Sequence, residues 1–553
     1  MIYDRWILAD PADAPIPVPN PTLRAIFARR GVDSQEKFTR FVSPQLADLH
    51  DPAGIHGIDH ACERIFRAIR DKETIVIYGD YDVDGVTSIV LLQTVLRSIG
   101  ADPAFVVPHR LVDGYGLKME VLERVLAERN VRLVITVDCG ITSVEPVRLA
   151  IDRGIDVIVT DHHLPPGVLP SAAAVLNPKQ PGCAYPFKEL AGVGVAFKLC
   201  CELIRRSGKK MSIESLLKIA AIGTVADVAP LIGENRVIVR LGLDGLTDTR
   251  NRGLRALLRR LGLHGKRVRA ADVGFKLGPR INAAGRLASA DTAIRLFAAA
   301  DDDEAWQICA ELDRLNTERQ QIEAEVREKA MQQVDPNARV LVLAGEGWHR
   351  GVLGLTAGRV AQQFHRPALV MSIDGDRATG SGRSITTINL HAALESVADL
   401  FTHFGGHQFA CGFSLPAADV GALRERLTQH FATYDDGLFV RQALVDGSLR
   451  LADVDRDFVA AHEMLQPFGA GNTQPVFGLH RVFVKSKRPF AEDCCEIELA
   501  DESGVGTAVV WPSVKQLVPA MNGAPLDLLV QIEPDAWAQN GARMSIVDAR
   551  AAQ

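Results

Sequence analysis

The stretch Thr74-Ile-Val-Ile-Tyr-Gly-Asp80-Tyr-Asp82-Val-Asp84-Gly-Val-Thr-Ser88 decides the fold. Its apolar, β-branched opening reads as a buried strand, which runs directly into three alternating acids and then into a helical pattern from Thr87 to Ile99. Three further segments follow the same plan. Val131 to Val137 ends at Asp138-Cys-Gly140, Ile155 to Thr160 at Asp161-His162-His163, and Ala221 to Ala226 at Asp227. Each reads as a strand that delivers acids or histidines at its carboxyl end. Helical patterns near Lys118 to Arg129 and Val144 to Arg153, and an apolar run from Ala104 to Val107, alternate with them. Alternation of this kind implies βαβ crossovers and a parallel sheet. In such a sheet ligands bind outside the carboxyl ends of the strands, so the acids are expected to converge there.

The remaining chain changes character twice. From Asp301 to Val334 it is polar, rich in Glu, Gln, Arg and Leu and nearly free of breakers, which reads as one long exposed helix joining two domains. A second α/β unit follows, with strands at Arg339 to Ala344 and Pro367 to Ile373 and glycines at 380, 382, 405, 406 and 412. Over the last hundred or so residues, short alternating strands such as Val482 to Val484, Glu496 to Leu499, Thr507 to Trp511, Leu526 to Ile532 and Arg543 to Val547 suggest a small β-barrel of OB type.

Composition limits the class. The 553 residues suffice for several domains, and 47% hydrophobic content can fill their cores. Nine cysteines without a CxxC spacing argue against a disulfide framework and a zinc knuckle, and point to a reducing cytoplasm. No leader pattern and no apolar run of membrane-spanning length is visible, so a soluble protein is expected. A net charge of -6 excludes binding of nucleic acid through bulk positive charge. Basic islands do occur at Arg205-Arg206-Ser-Gly-Lys209-Lys210, at Arg259-Arg260 with Lys266 to Arg269, and at Arg481 with Lys485-Ser-Lys487-Arg488. Each alone reads as a solvated face, and only convergence in space would give them meaning.

The acids carry the chemistry. Two unpaired carboxylates about 4 Å apart repel by roughly 4 kcal/mol at an effective dielectric of about 20. Several converging acids therefore need cations or raised pKa values. Oxygen ligands with one or two imidazoles and no thiolate suit Mn²⁺ or Mg²⁺, and two such ions can activate a water against a phosphodiester. A lone Asp138 or Asp227 would be read as a turn or capping residue. An Asp-x-Asp-x-Asp run, an Asp-His-His and two more strand-terminal acids in one domain are not produced by turn chemistry. Cys139, beside Asp138, is best read as a small buried residue.

At these residues the chain resembles the DHH phosphoesterase superfamily and, within it, the RecJ family of single-strand-specific 5′ to 3′ DNA exonucleases. The resemblance extends through Pro108-His-Arg110 with Gly114-Tyr-Gly116, Gly278-Pro-Arg280-Ile-Asn282-Ala-Ala-Gly-Arg286, Leu312-Asp-Arg-Leu-Asn316 with Glu318-Arg319, Gly347-Trp-His-Arg-Gly-Val352, Ser381-Gly-Arg383-Ser384 and Gly405-Gly-His407. His109 stands where Asn is expected and Cys411 where Ala is usual; neither removes a metal ligand.

The resemblance implies an N-terminal segment over 1–45, a parallel-sheet DHH catalytic domain over 46–300, a connector helix over 301–334, a DHHA1-type α/β domain over 335–437 and an OB-type barrel over 438–553. It implies two ions, Mn²⁺ or Mg²⁺: one held by Asp84, Asp138, His162 and Asp227, the other by Asp80, Asp82 and Asp138. His163 would face the scissile phosphate as a catalytic group. Arg110, Ser381 and Arg383 would grip a terminal 5′ phosphate, while Arg280 and His407 would line the substrate path. The partners implied are single-stranded DNA, a single-stranded-DNA-binding protein and a RecQ-type helicase, with no membrane, in the cytoplasm. Trp511, Trp537 and Phe477 are stacking candidates in the barrel, although core packing is the better reading of any one of them. The rival readings are a phosphodiesterase for cyclic dinucleotides or short oligonucleotides, and a non-catalytic single-strand-binding scaffold.

Overall fold

The computed structural model describes every residue except 115, 129, 492, 522, 536, 539 and 553, so Tyr115 of the Gly114 to Gly116 motif and the Arg129 end of the expected helix lie outside the described residues. The chain forms two compact units. One comprises Gln45–Phe431 with Gly469–Gly471, and the other Met1–Pro44 with Ala432–Phe468 and Asn472–Gln553.

The first unit is built on an all-parallel sheet in the order Ala104–Val106, Thr74–Gly79, Val131–Val137, Asp156–Thr160, Ala174–Leu176. The three central strands are buried on both faces, which is why they read as continuous apolar runs. Strand order reverses between Thr74–Gly79 and Val131–Val137, and the crevice at such a switch point is where doubly wound sheets bind ligands. Both strands end in acids. The helix Val83–Ser98 begins directly after the first, with Asp82 as its N-cap accepting from the Asp84 and Gly85 amides at 2.9 and 3.1 Å. It is apolar nearly all round because other helices enclose it.

One expected strand is a helix. Ala221 to Ala226 closes the fourteen-residue helix Ile213–Ala226, capped at its start by Ser212, and Asp227 is its C-cap. A short apolar run is compatible with a buried strand or a buried helix, and here the helix-capping serine nine residues upstream was the deciding signal. The long helix, Asp302–Met331, is present, yet it is not exposed all round: Ala305, Cys309, Leu312, Leu315, Val326 and Ala330 form a buried stripe. A second, mixed sheet follows in the order His403–His407, Ala410–Pro416, Arg377–Arg383, Ala368–Asp374, Leu341–Glu346. Its glycines lie within strands. At Gly380 a Cβ would come 2.4 Å from Phe413, so the glycine makes room for that ring.

The second unit is a closed barrel of five strands, Phe477–Ala491, Cys494–Ala500, Val505–Val510, Ala542–Ala551 and Leu526–Pro534, the last pairing back onto the first. Val505–Val510 and Ala542–Ala551 run parallel and all other barrel pairings are antiparallel. The N-terminal segment belongs to this unit. Leu23, Ile26, Phe27 and Phe38 share a core with Phe477, Leu479, Leu528 and Val530. The strand Arg5–Leu8 pairs with Gln442–Val445, and Asp548 accepts from the Ile2 and Tyr3 amides and from Trp6 Nε1. Among the described residues no helix is long and apolar enough to cross a membrane.

Candidate metal centre

The strand ends and two helix ends bring the predicted acids together. Asp80 follows the Thr74–Gly79 strand, Asp82 caps the next helix, and Asp84 sits in its first turn. Both Asp84 oxygens are held by the N-terminus of Gly192–Ser207, whose Gly192 and Val193 amides donate to them at 2.8 and 2.6 Å. Asp138 leaves its strand with φ +58, a conformation that turns its carboxylate back towards the switch point. It fits only because residue 192 is glycine: a Cβ there would lie 2.6 Å from Asp138 Oδ1.

His162 is the hub. Its Nε2 lies 3.2 Å from Asp138 Oδ1 and 3.9 Å from Asp84 Oδ2, and its Nδ1 lies 3.9 Å from Asp227 Oδ2. Three sets of ligand atoms fall within 4.8 Å of one another: Asp84, His162 and Asp227; Asp80, Asp82 and Asp138; Asp138, His162 and His163.

The electrostatics describe a site that wants cations. Burial, followed by the neighbouring carboxylates, pushes Asp80, Asp138 and Asp227 well above the usual carboxylate range and lifts Asp84 to about 7. Burial and then His163 depress His162 to about 3, so its ring is neutral and offers a lone pair. Asp80 Oδ1, Asp138 Oδ1 and His162 Nε2 are buried without a hydrogen-bond partner. His162 Nε2 and Asp138 Oδ1 thus face one space 3.2 Å apart with no hydrogen bond between them. Hard oxygen donors with one imidazole, and no thiolate, fit a divalent cation such as Mn²⁺ or Mg²⁺.

Asp161, the first residue of the Asp-His-His triplet, is no part of these sets. It accepts from the Ile141, His162 and His163 amides at 2.9, 2.7 and 3.0 Å and contacts His163 Nδ1 at 2.7 Å. Burial raises its carboxyl, but the hydrogen bond and charge of His163 outweigh that and hold it at about 2. The reverse holds for His163, where burial is outweighed by the Asp161 hydrogen bond and the imidazole is raised. His407 stacks on His163 with ring centroids 5.6 Å apart and 11° between planes, and burial, then His163, lowers its pKa. Sequence reasoning had given Asp161 no role, although a histidine ring at a strand end commonly takes an orienting carboxylate, here Asp161 on His163.

A cationic group adjoins the centre. Arg383 Nη1 donates to Ser381 Oγ and the Gly382 carbonyl at 3.0 and 2.8 Å. Arg110 lies 4.7 Å above the Tyr81 ring. Arg286, absent from the expected set although it ends the Gly278 to Arg286 motif, is lowered to about 9 by burial and then by Arg110 and Arg319, with Asp82 acting in the opposite sense. Arg383 is lowered by burial and then by Arg110. Arg280 points elsewhere: its Nε meets Asp313 Oδ1 at 2.5 Å and its Nη1 donates to the Lys276 carbonyl at 2.9 Å. In the barrel unit Phe477 is fully buried and Trp511 donates its indole N–H to Ser545, whereas Trp537 is 98% exposed.

The sequence matches the models of the DHH family, N-terminal domain, over residues 74–224, the DHHA1 domain over 337–433 and the RecJ OB domain over 445–547. It is 34% identical over 560 residues to the single-stranded-DNA-specific exonuclease RecJ of Salmonella typhimurium, spanning 96% of this chain and 92% of that protein. The RecJ of Bacillus subtilis is 41% identical over 463 residues, which cover 82% of this chain and 58% of the relative. The crystal structure of RecJ in complex with Mn²⁺ from Thermus thermophilus superposes with a TM-score of 0.84 at 30% identity, covering 99% of this chain and 80% of that one. A Mg²⁺ complex of the same protein superposes with a TM-score of 0.78. With an acid-rich switch point, a mixed second sheet and a closed barrel in the order these matches share, the chain belongs to the RecJ family of DHH phosphoesterases.

Proposed function

We infer that the chain is a single-stranded-DNA-specific 5′ to 3′ exonuclease that hydrolyses phosphodiester bonds, releases 5′-mononucleotides and serves DNA repair and recombination. The observation that carries this reading is the adjacency of two unlike sites: a cluster of acids around His162 and, beside it, the arginines 110, 286 and 383. A metal centre beside arginines that can take a terminal phosphate suits a strand end.

In this reading residues 46–300 are catalytic, 301–334 connect, 335–437 complete the site and 438–553 bind strand. Asp84, Asp138, His162 and Asp227 would hold one ion and Asp80, Asp82 and Asp138 the other, so Asp138 would serve both. Two bound Mn²⁺ or Mg²⁺ ions supply the Lewis acidity that makes water a nucleophile and offsets charge on the phosphodiester. His163 contributes a proton donor. Asp161 engages its Nδ1 and raises the imidazole pKa, which leaves Nε2 to face a phosphate oxygen. His407, kept neutral by burial and by its charged neighbour, holds the plane of that ring by stacking. Arg110, Ser381 and Arg383 take the terminal 5′ phosphate, where planar guanidinium forks can bond two oxygens at once. Arg280 lines the approach. A single-stranded-DNA-binding protein and a RecQ-type helicase would present the strand in the cytoplasm. Hydrolysis of 5′- and 3′-labelled strands in Mn²⁺ tests the assignment: label is expected first from the 5′ end, more slowly when the terminal phosphate is removed. Release first from the 3′ end would overturn it.

A further inference from the structure

The start of the helix Gly233–Leu246 lies outside the metal centre and holds both of its flanks. Asn235, in the first turn, is fully buried. Its Nδ2 donates to two backbone carbonyls, that of Glu189 and, at 3.1 Å, that of Pro230. Glu189 stands three residues before Gly192, whose amide, with that of Val193, holds the Asp84 carboxylate. Pro230 stands three residues after Asp227. One side-chain amide thus ties the chain that aims the Asp84 clamp to the chain that carries Asp227.

Each flank needs such support. Ala191 is the N-cap of Gly192–Ser207 and makes no side-chain capping bond, so the direction in which that helix presents its amides depends on what holds the residues before it. On the other side Val228 leaves Asp227 with φ +63 and is itself exposed. A β-branched residue adopts left-handed backbone only where its surroundings impose it. The base that imposes it is rigid. Glu234, next to Asn235, is buried and ion-paired with Lys198 of the Gly192–Ser207 helix, and it accepts from the Tyr185 hydroxyl at 2.6 Å and the His50 amide at 2.8 Å. Packing alone does not call for an amide at position 235, since an apolar side chain of that size would fill the same space without burying polar atoms.

We propose that Asn235 is a positioning residue for the metal centre: it sets the spacing between Asp227 and the amides that orient Asp84, and so the fit of the ion that these two carboxylates share with His162. The proposal rests on the metal-dependent exonuclease reading and adds to it a residue that touches neither metal nor substrate. Groups that orient metal ligands tune affinity although they make no bond to the ion.

Mn²⁺ binding to the full-length protein, measured by calorimetry without DNA, tests this role. Asn235→Leu keeps the volume and removes the donors; it is expected to raise the dissociation constant of one Mn²⁺ site about tenfold and to leave the other unmoved. In hydrolysis of a labelled single strand the half-saturating Mn²⁺ is expected to rise by the same factor, with kcat recovered at saturating Mn²⁺ and KM for the strand unchanged. Asn235→Ser, which retains a donor, is expected to fall between wild type and Asn235→Leu, and it supplies the readout should the leucine variant not fold. A folded variant with the wild-type Mn²⁺ isotherm, whatever its melting temperature, would overturn the positioning role and leave the exonuclease reading intact. Wild-type protein that binds no Mn²⁺ would overturn both.

Discussion

Replacing Gly192 by alanine tests the metal centre without touching a proposed ligand. A Cβ at this position would stand 2.6 Å from Asp138 Oδ1, 2.8 Å from its Cβ and 2.9 Å from its Cγ. Relaxed contacts between such atoms lie near 3.5 Å or beyond, so the Asp138 side chain must withdraw by more than half an ångström. Gly192 opens a helix whose amides hold Asp84, and Asp138 is anchored on a buried strand, so neither backbone can yield cheaply. Overpacking of this kind costs about 1–3 kcal/mol, a loss a unit this size tolerates. The larger effect falls on metal binding, because Asp138 belongs to two of the three ligating sets. Displacing a ligand through its support costs about ten- to a hundredfold in metal affinity. Mn²⁺ titrated into the variant, followed by calorimetry and by hydrolysis of a labelled single strand, is expected to show half-saturation raised by that factor with the circular dichroism spectrum unchanged. A folded variant with the wild-type Mn²⁺ dependence would refute both the placement of Asp138 and its double duty.

Asp138→Ala is expected to abolish hydrolysis while single-strand binding persists; near-normal turnover in saturating Mn²⁺ would show that Asp138 does not bridge. The metal-free protein is expected to lose thermal stability as pH rises from about 4 to 7. Asp84 is lifted to about 7 and Asp80, Asp138 and Asp227 lie well above the ordinary value, so the folded state binds protons more tightly than the unfolded state, and that stabilisation disappears as they ionise. Mn²⁺ at pH 8 should offset the loss by about 2.7 kcal/mol per site at a hundredfold excess over Kd, and a melting series across pH with and without Mn²⁺ that showed no such divergence would exclude a carboxylate cation site. Deleting residues from Val440 onward strips Leu23, Ile26 and Phe27 of their core partners and is expected to give an aggregating protein. Residues 45–431 alone should instead stay soluble and cleave short strands with a shallower dependence of affinity on salt; an unchanged salt slope would deny the barrel unit its phosphate contacts.

The sequence showed the catalytic sheet clearly because its central strands are buried on both faces and each ends abruptly in polar residues. That pattern alone singles out Asp80, Asp82, Asp84, Asp138 and His162. It misread Ala221 to Ala226, since six apolar residues do not distinguish a buried strand from the end of a buried helix. The positioning of Asp161 was hidden for a different reason: its partners are amides at residues 141, 162 and 163, and a hydrogen bond to backbone leaves no trace in residue type. Arg286 and Arg319 were quoted within motifs but went unassigned, because an arginine on a helix is ordinarily solvent-facing until packing encloses it. Phe477 could be read as a stacking residue or, better, as core, and the closure of the barrel over it makes it core. The union of residues 1–44 with the barrel could not be read at all, since nothing local marks a contact across some four hundred residues.

That union constrains how the molecule comes off the ribosome. The N-terminal residues carry Leu23, Ile26, Phe27 and Phe38, yet the strands that cover them begin beyond residue 432. At about 5–20 residues per second, these side chains wait roughly 20 to 80 s with their apolar surface open, while the whole catalytic unit is made and folds behind them. A ribosome that stops early therefore releases a chain whose unfinished end is displayed at its beginning. A holdase or protease that binds open apolar surface can distinguish a chain stopped before residue 432 from one carrying the barrel strands, because residues 23–38 stay accessible until those strands have been made.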